Sequence, residues 1–151
     1  MTTLPPVPVL SRAPALSVKQ PWAELILRRQ KQVEVRSWSS RYRGLLWLHT
    51  GRAPDADATQ YFGLGELPLG AFVGIIEVID IMPFDPDRWQ KWRADHMSPG
   101  PWQAGLFAWM IANPLRLKRP VPAAGQQGLF TISPHILETN LASLTETQAN
   151  L

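Results

Sequence analysis

Lys31-Gln32-Val33-Glu34-Val35-Arg36-Ser37-Trp38, preceded by Leu16-Ser17-Val18-Lys19-Gln20-Pro21-Trp22, decides how this chain is read. Val33 and Val35 point one way while Gln32, Glu34, Arg36 and Trp38 point the other, a period of two that predicts a half-buried strand. Glu34, Arg36 and Trp38 then follow one another at roughly 7 Å along one face. That face offers a carboxylate, a guanidinium fork and an aromatic plane in a row. These are the groups that read a base edge, hold a phosphate and stack on a ring. Upstream, Pro21 suits the first position of a helix, and Trp22, Leu25, Ile26 and Arg29 keep helical spacing over about residues 21–30. Lys31 falls at the helix-to-strand junction. There it would bind phosphate, or act as a base if partly desolvated.

Working outward, Tyr42-Arg43-Gly44 reads as a turn and Leu45 to Thr50 as a buried strand, with one helical turn near 55–62. Ala71 to Met82, dense in Val and Ile, is the strongest strand signal. Asp85-Pro86-Asp87 opens a helix as N-cap, first-position proline and first-turn acid. On it Trp89, Trp92 and His96 share a core-facing stripe. Phe107 to Ala112 and Leu115 to Val121 read as strands separated by Asn113-Pro114, Leu129 to Ser133 as a last strand, and His135 to Leu144 as a terminal helix before a polar tail. Residues 1–14 read as a proline-rich, flexible lead-in. Short strands with helix-containing connections imply an α+β domain, a small barrel or curved sheet decorated by two or three helices.

At 151 residues, 45% hydrophobic and 18% charged, the chain is long and apolar enough for one compact domain. The absence of cysteine excludes disulfides, thiolate metal sites and a cysteine nucleophile. The lead-in lacks the pattern of a signal peptide, and no stretch approaches the roughly 20 apolar residues that span a bilayer, so a cytoplasmic protein without membrane contact is expected. Charge is uneven. Residues 1–53 hold nine Lys/Arg against Glu24 and Glu34, whereas residues 54–100 hold three basic against eight acidic residues. A basic first third suits a polyanionic partner. No HExxH, GxSxG or Walker loop is present, the histidines are too scattered for a metal site, and no cofactor is implied.

Gln20-Pro21-Trp22 followed by Lys31, Glu34 and Arg36 resembles the activating-signal-cointegrator homology (ASCH) domain family, whose signature is G-x-K-x-x-E-x-R. Arg29 stands at the glycine. The likeness continues through Arg43-Gly44-Leu45-Leu46-Trp47-Leu48-His49, Phe107-Ala108-Trp109, Asn113-Pro114 and Gly125-Gln126-Gln127-Gly128-Leu129-Phe130, covering about residues 15–133 and leaving 134–151 as a C-terminal helix and tail. The resemblance implies a PUA-like β-barrel with a cleft beside the Lys-Glu-Arg segment. It also implies RNA or DNA binding, and some small members are similar to amidohydrolases acting on N4-acetylcytidine or to ribonucleases.

Three functions compete. The first is binding of RNA, single-stranded DNA or a nucleoside or nucleotide through Lys19, Gln20, Trp22, Lys31, Glu34, Arg36, Ser37, Trp38, Arg41, Arg43 and Gln127. The second is hydrolysis with Lys31, Glu34 and Glu77. The amidohydrolases use a lysine, a threonine nucleophile and a glutamate, and Glu34 stands at the threonine position. That removes the attacking hydroxyl and leaves Glu34 only as a general base. Glu77, on an apolar strand among Val73, Ile75, Ile79 and Ile81, needs a partner, and Lys31 or Arg36 is the expected one. The third is a protein-interaction domain, which leaves the polar cluster unexplained. Binding ranks first.

Overall fold

The computed structural model describes residues 7–145, with side chains over 9–140. Its elements run α1 (Val7–Arg12), β1 (Pro14–Val18), α2 (Trp22–Leu27), β2 (Val33–Arg36), β3 (Gly44–Thr50), α3 (Ala56–Phe62), β4 (Ala71–Pro83), α4 (Pro86–Lys91), α5 (Arg93–His96), β5 (Phe107–Pro122), β6 (Leu129–Thr131) and α6 (Pro134–Thr145). One six-stranded sheet has the order β2-β5-β4-β3-β1-β6, with β1 and β3 parallel and the other pairs antiparallel. It curls into a half-barrel. The α+β architecture expected from sequence is present, with more helices than two or three, several of a single turn or two.

The curl has a local cause. β4 and β5 slip register between Phe72 and Gly74, Ile75 and Glu77, and Val78 and Asp80, and each irregularity sharpens the twist of the pair. Asn113, at φ 53°, sits inside β5. Asn113-Pro114 therefore bends one long strand instead of separating two. At Gly74 an added Cβ would lie 2.6 Å from both the Leu115 carbonyl oxygen and Leu27 Cδ2, so only glycine lets α2 pack so closely on the sheet.

Inside the curl, Leu16, Val18, Ile26, Leu46, Leu48, Ile76, Val78 and Trp109 form the main core. A second cluster on the other side gathers Leu10, Trp47, Phe72, Ile75, Leu117 and Phe130. Leu10 is 2% exposed, and its carbonyl accepts from the Trp47 indole at 2.8 Å, so residues 7–12 are a packed helix where sequence suggested a loose lead-in. Residues 1–6 and the tail beyond 145 lie outside the described residues. Asp85 caps α4 as its sequence predicts, accepting from Arg88 N–H at 2.7 Å. Trp89 stacks on buried His96 at 4.0 Å in a third cluster with Val33 and Phe84, the core stripe expected there.

Candidate functional site

β2 pairs with β5, which turns Val33 into the third cluster and sets Glu34 and Arg36 on the opposite face, beside the end of β1. Glu34 is the hub. Its Oε2 accepts from Arg36 Nη1 at 3.1 Å, and its Oε1 lies 3.6 Å from Lys31 Nζ. The same Arg36 nitrogen donates to the Ser17 carbonyl at 3.2 Å. Lys31 is buried, donates to the His96 carbonyl at 2.7 Å, and lies 4.7 Å over the Trp22 ring. Burial pushes its pKa down against the pull of Glu34. Its ammonium is thus committed inside the protein, and the phosphate contact expected of it is not available. Lys31 shapes the site through Glu34.

A cleft of about 520 Å³ opens beside this triad. Lys19, Trp22, Glu34, Arg36, Arg52, Asp55, Gln126 and Gln127 line it with Ser17 and Gly51. Trp22 donates its indole N–H to Asp55 Oδ2 at 2.9 Å. That bond holds the Asp55 carboxyl below its ordinary pKa, against burial. Asp55 also caps α3 by accepting from Ala58 N–H at 3.1 Å.

The other expected residues separate by place. Gln20 is 1% exposed and bonds the Glu24 N–H and the Pro68 carbonyl, so it fixes the start of α2 and does not line the cleft. Trp38 packs edge-on against Trp109 at 4.7 Å, with Arg36 at 5.6 Å over its ring, as a wall behind the triad. Ser37 and Arg41 are exposed on the segment that follows β2. Arg43 is tied to Asp80 at 3.2 Å and to the Ser40 and Tyr42 carbonyls at 2.9 Å each. Glu77 does not join Lys31 or Arg36. Its Oε1 accepts from Asn113 Nδ2 at 2.9 Å, because the β4–β5 irregularity turns it toward the bend in β5. The set Lys31, Glu34 and Glu77 is therefore not assembled.

Ser17, His49, Arg52 and Asp55 were missed by sequence reasoning. Ser17 Oγ lies 2.9 Å from His49 Nδ1, and His49 Nε2 lies 2.8 Å from the Ala123 carbonyl. The parallel register pairs Ser17 with His49 across β1 and β3, a relationship no local pattern carries. For Arg52, the basic first third was the only available signal. Among the described residues no group of three or more His, Cys, Asp or Glu is placed to hold a metal, and no helix is long and apolar enough to cross a membrane.

The sequence profile described as the ASCH domain matches residues 16–121. The chain belongs to the ASCH domain family. Over 135 residues it is 28% identical to activating signal cointegrator 1 from Homo sapiens, covering 80% of this chain and 22% of that protein. The same-named Mus musculus protein is 36% identical over 81 residues, 44% of this chain and 14% of the relative. This ASCH domain thus spans about a fifth or less of the length of these relatives. Its fold matches the crystal structure of ASCH from Zymomonas mobilis with a TM-score of 0.63, at 13% identity over 90% of this chain and 98% of that one. A single-substitution variant of the same protein matches with a TM-score of 0.62. The G-x-K-x-x-E-x-R signature of the ASCH domain has a structural reading here. Arg29, at its glycine position, adopts φ 65°, the left-handed conformation that glycine takes without strain.

Proposed function

We propose that this ASCH domain binds single-stranded nucleic acid, RNA foremost, or a nucleotide-like ligand in the cleft beside Glu34 and Arg36. The observation that carries the reading is the balance of charge there. Lys19, Arg36 and Arg52 line the cleft against only Glu34 and Asp55. Both carboxylates are already engaged, Glu34 by Lys31 and Arg36, and Asp55 by the Trp22 indole and the Ala58 amide. The surplus is positive and open to solvent, which suits phosphates. Trp22 adds an aromatic surface, and the exposed Gln126 and Gln127 add amides that both donate and accept, the groups that read an unpaired base. A volume of about 520 Å³ is on the scale of a single nucleotide, which favours an unpaired strand over a duplex.

The test is fluorescence-anisotropy titration of labelled single-stranded RNA, single-stranded DNA and duplex at several salt concentrations. Single strands should bind more tightly than duplex, and Lys19→Ala and Arg52→Ala should each weaken binding. No binding at low salt, or affinity indifferent to salt, would sink the proposal.

A further inference from the structure

Ser17 and His49 form a hydroxyl–imidazole pair whose geometry the nucleic-acid reading does not use. Among the described residues Nε2 of His49 meets a carbonyl, that of Ala123 at 2.8 Å, so Nε2 carries the hydrogen and donates it. Nδ1 is then the bare, basic nitrogen, and it lies 2.9 Å from Ser17 Oγ, which donates to it. Phe72 and Phe130 stand edge-on to the ring at 5.1 and 5.8 Å and fix its plane. Burial pushes the His49 pKa down, more than its bond to Ala123 raises it, so the ring is neutral near pH 7. Hydroxyl, imidazole and an orienting carbonyl thus stand in the order that a nucleophile, its base and the base's anchor require.

Ser17 is only half-buried and borders open space. Ser17 lines both the cleft of about 520 Å³ and an adjoining cavity of about 540 Å³, which share Gly51, Arg52, Gln126 and Gln127. Two glycines, Gly51 and Gly125, lie beside Oγ. A Cβ at Gly125 would lie 2.6 Å from His49 Cε1, 2.8 Å from Nδ1 and 3.3 Å from Ser17 Oγ, and one at Gly51 would lie 3.7 Å from that oxygen. Side chains there would cover or disrupt the pair.

We propose that Ser17 is a nucleophile activated by His49 and that the pair cleaves carboxylic esters of negatively charged, nucleotide-like carriers. Ser17 Oγ attacks the acyl carbon while its proton passes to His49 Nδ1. The tetrahedral adduct collapses, the ester C–O bond breaks, and the leaving alkoxide takes that proton. Water then attacks the acyl-Ser17 ester, giving its proton to Nδ1, and the carboxylic acid departs as Ser17 is restored. Esters are favoured over amides because the group orienting His49 is a neutral carbonyl. It fixes the tautomer but stabilises the imidazolium less than a carboxylate does, and an amine leaves only when protonated. The anionic carrier follows from Arg52 and Lys19 and rests on the nucleotide reading of the cleft; the reactivity of the pair does not.

A fluorophosphonate reporter followed by peptide mass mapping tests the pair. One adduct is expected, on Ser17, absent in Ser17→Ala and formed at least about 100-fold more slowly in His49→Gln. The chain has no cysteine, so Ser17→Cys gives a second readout that keeps the fold. Its lone thiol should alkylate with iodoacetamide faster than that of Ser39→Cys on the exposed surface. No adduct on Ser17, or no acceleration of the Ser17→Cys thiol, overturns the proposal. Hydrolysis of 3′-O-acetyl-adenosine 5′-monophosphate at least tenfold faster than of 3′-O-acetyl-adenosine, with the difference lost in Arg52→Ala, supports the anionic carrier; equal rates overturn it. Oligonucleotide binding measured alongside separates the two readings. Binding retained without a Ser17 adduct removes the dyad and leaves the nucleic-acid site, whereas a Ser17 adduct without binding does the reverse.

Discussion

Lys31 Nζ lies 3.6 Å from Glu34 Oε1, with the two side chains only 2% and 7% exposed. Such a pair stands because each partner removes the cost of burying the other, and Arg36 completes the arrangement at Glu34 Oε2. Glu34→Ala should therefore lower unfolding free energy by about 3–5 kcal/mol, since it strands the Lys31 ammonium. Lys31→Met should cost less, because Arg36 still satisfies Glu34. Urea denaturation compares them, and a loss below about 1 kcal/mol for Glu34→Ala would show the pair behaving as a surface bridge.

Glu24, in an otherwise apolar helix, is held by Arg116 through two hydrogen bonds of 2.8 Å each and by Arg28 at 2.7 Å. Burial raises its pKa, but these bonds outweigh it and hold the carboxyl below its ordinary value. The fork ties α2 to β5. Arg116→Ala should destabilise by about 2 kcal/mol, less than full loss of pairing because Arg28 still holds Glu24, and Arg116→Lys should recover little because an ammonium cannot make the paired contact. Equal stability of the Lys variant and the native protein in thermal melts would contradict this.

Arg29 holds φ 65° where the family signature has glycine, and its side chain gains only a long 3.4 Å bond to the Pro114 carbonyl. A non-glycine residue in that conformation carries roughly 1–2 kcal/mol of strain. Arg29→Gly should raise stability by about 1 kcal/mol, the larger freedom of glycine in the unfolded chain offsetting part of the relief. A lower melting temperature would mean that the guanidinium contributes more than its one bond.

The departure at Arg29 was visible in sequence, but its backbone angle was not. What sequence carried well was local. The alternation around Val33 and Glu34 gave β2 and its two faces, and Asp85-Pro86 gave the start of α4. What it missed depends on register. Glu77 looked stranded on an apolar strand, yet an irregularity in the β4–β5 pairing delivers Asn113 to it. Ser17 meets His49 only because β1 and β3 run parallel. Arg116 reaches Glu24 across 92 positions. Lys31 was legible as a motif residue, but its burial and its bond to the carbonyl of His96, on a helix the motif does not include, were not.

Two buried histidines set the pH dependence. Burial lowers the pKa of both His49 and His96 from 6.5. Between those lowered values and 6.5 the unfolded chain binds more protons than the folded one, so stability rises with pH through that window. It is complete above 6.5 and is lost as pH falls toward the folded values. Glu24, lowered from 4.5, acts in a separate range: its contribution is present above 4.5 and is lost as pH falls through its folded value. The melting temperature should fall as pH is lowered below 6.5, and His96→Asn should flatten that slope even if the variant is less stable overall. An unchanged slope in the variant would remove His96 as a cause.

Two arginines that look alike in sequence are held differently in the fold. Arg52 is exposed and lines the cleft, whereas Arg43 is tied down by Asp80 and two carbonyls near Tyr42. Each phosphate neutralised on a single strand contributes about 0.7 to the slope of log K against log salt. Arg52→Ala should therefore weaken single-strand binding and reduce that slope by about 0.7, the share of the one phosphate that Arg52 would neutralise. Arg43→Ala removes the same formal charge without touching the ligand, so its slope should match the native protein. Charge-matched variants rule out a general field effect: if both lower affinity equally, binding follows the net charge of the surface and not the cleft. If only Arg43→Ala matters, the ligand runs along the turn before β3, and the site moves from the Glu34 cleft to that edge of the sheet.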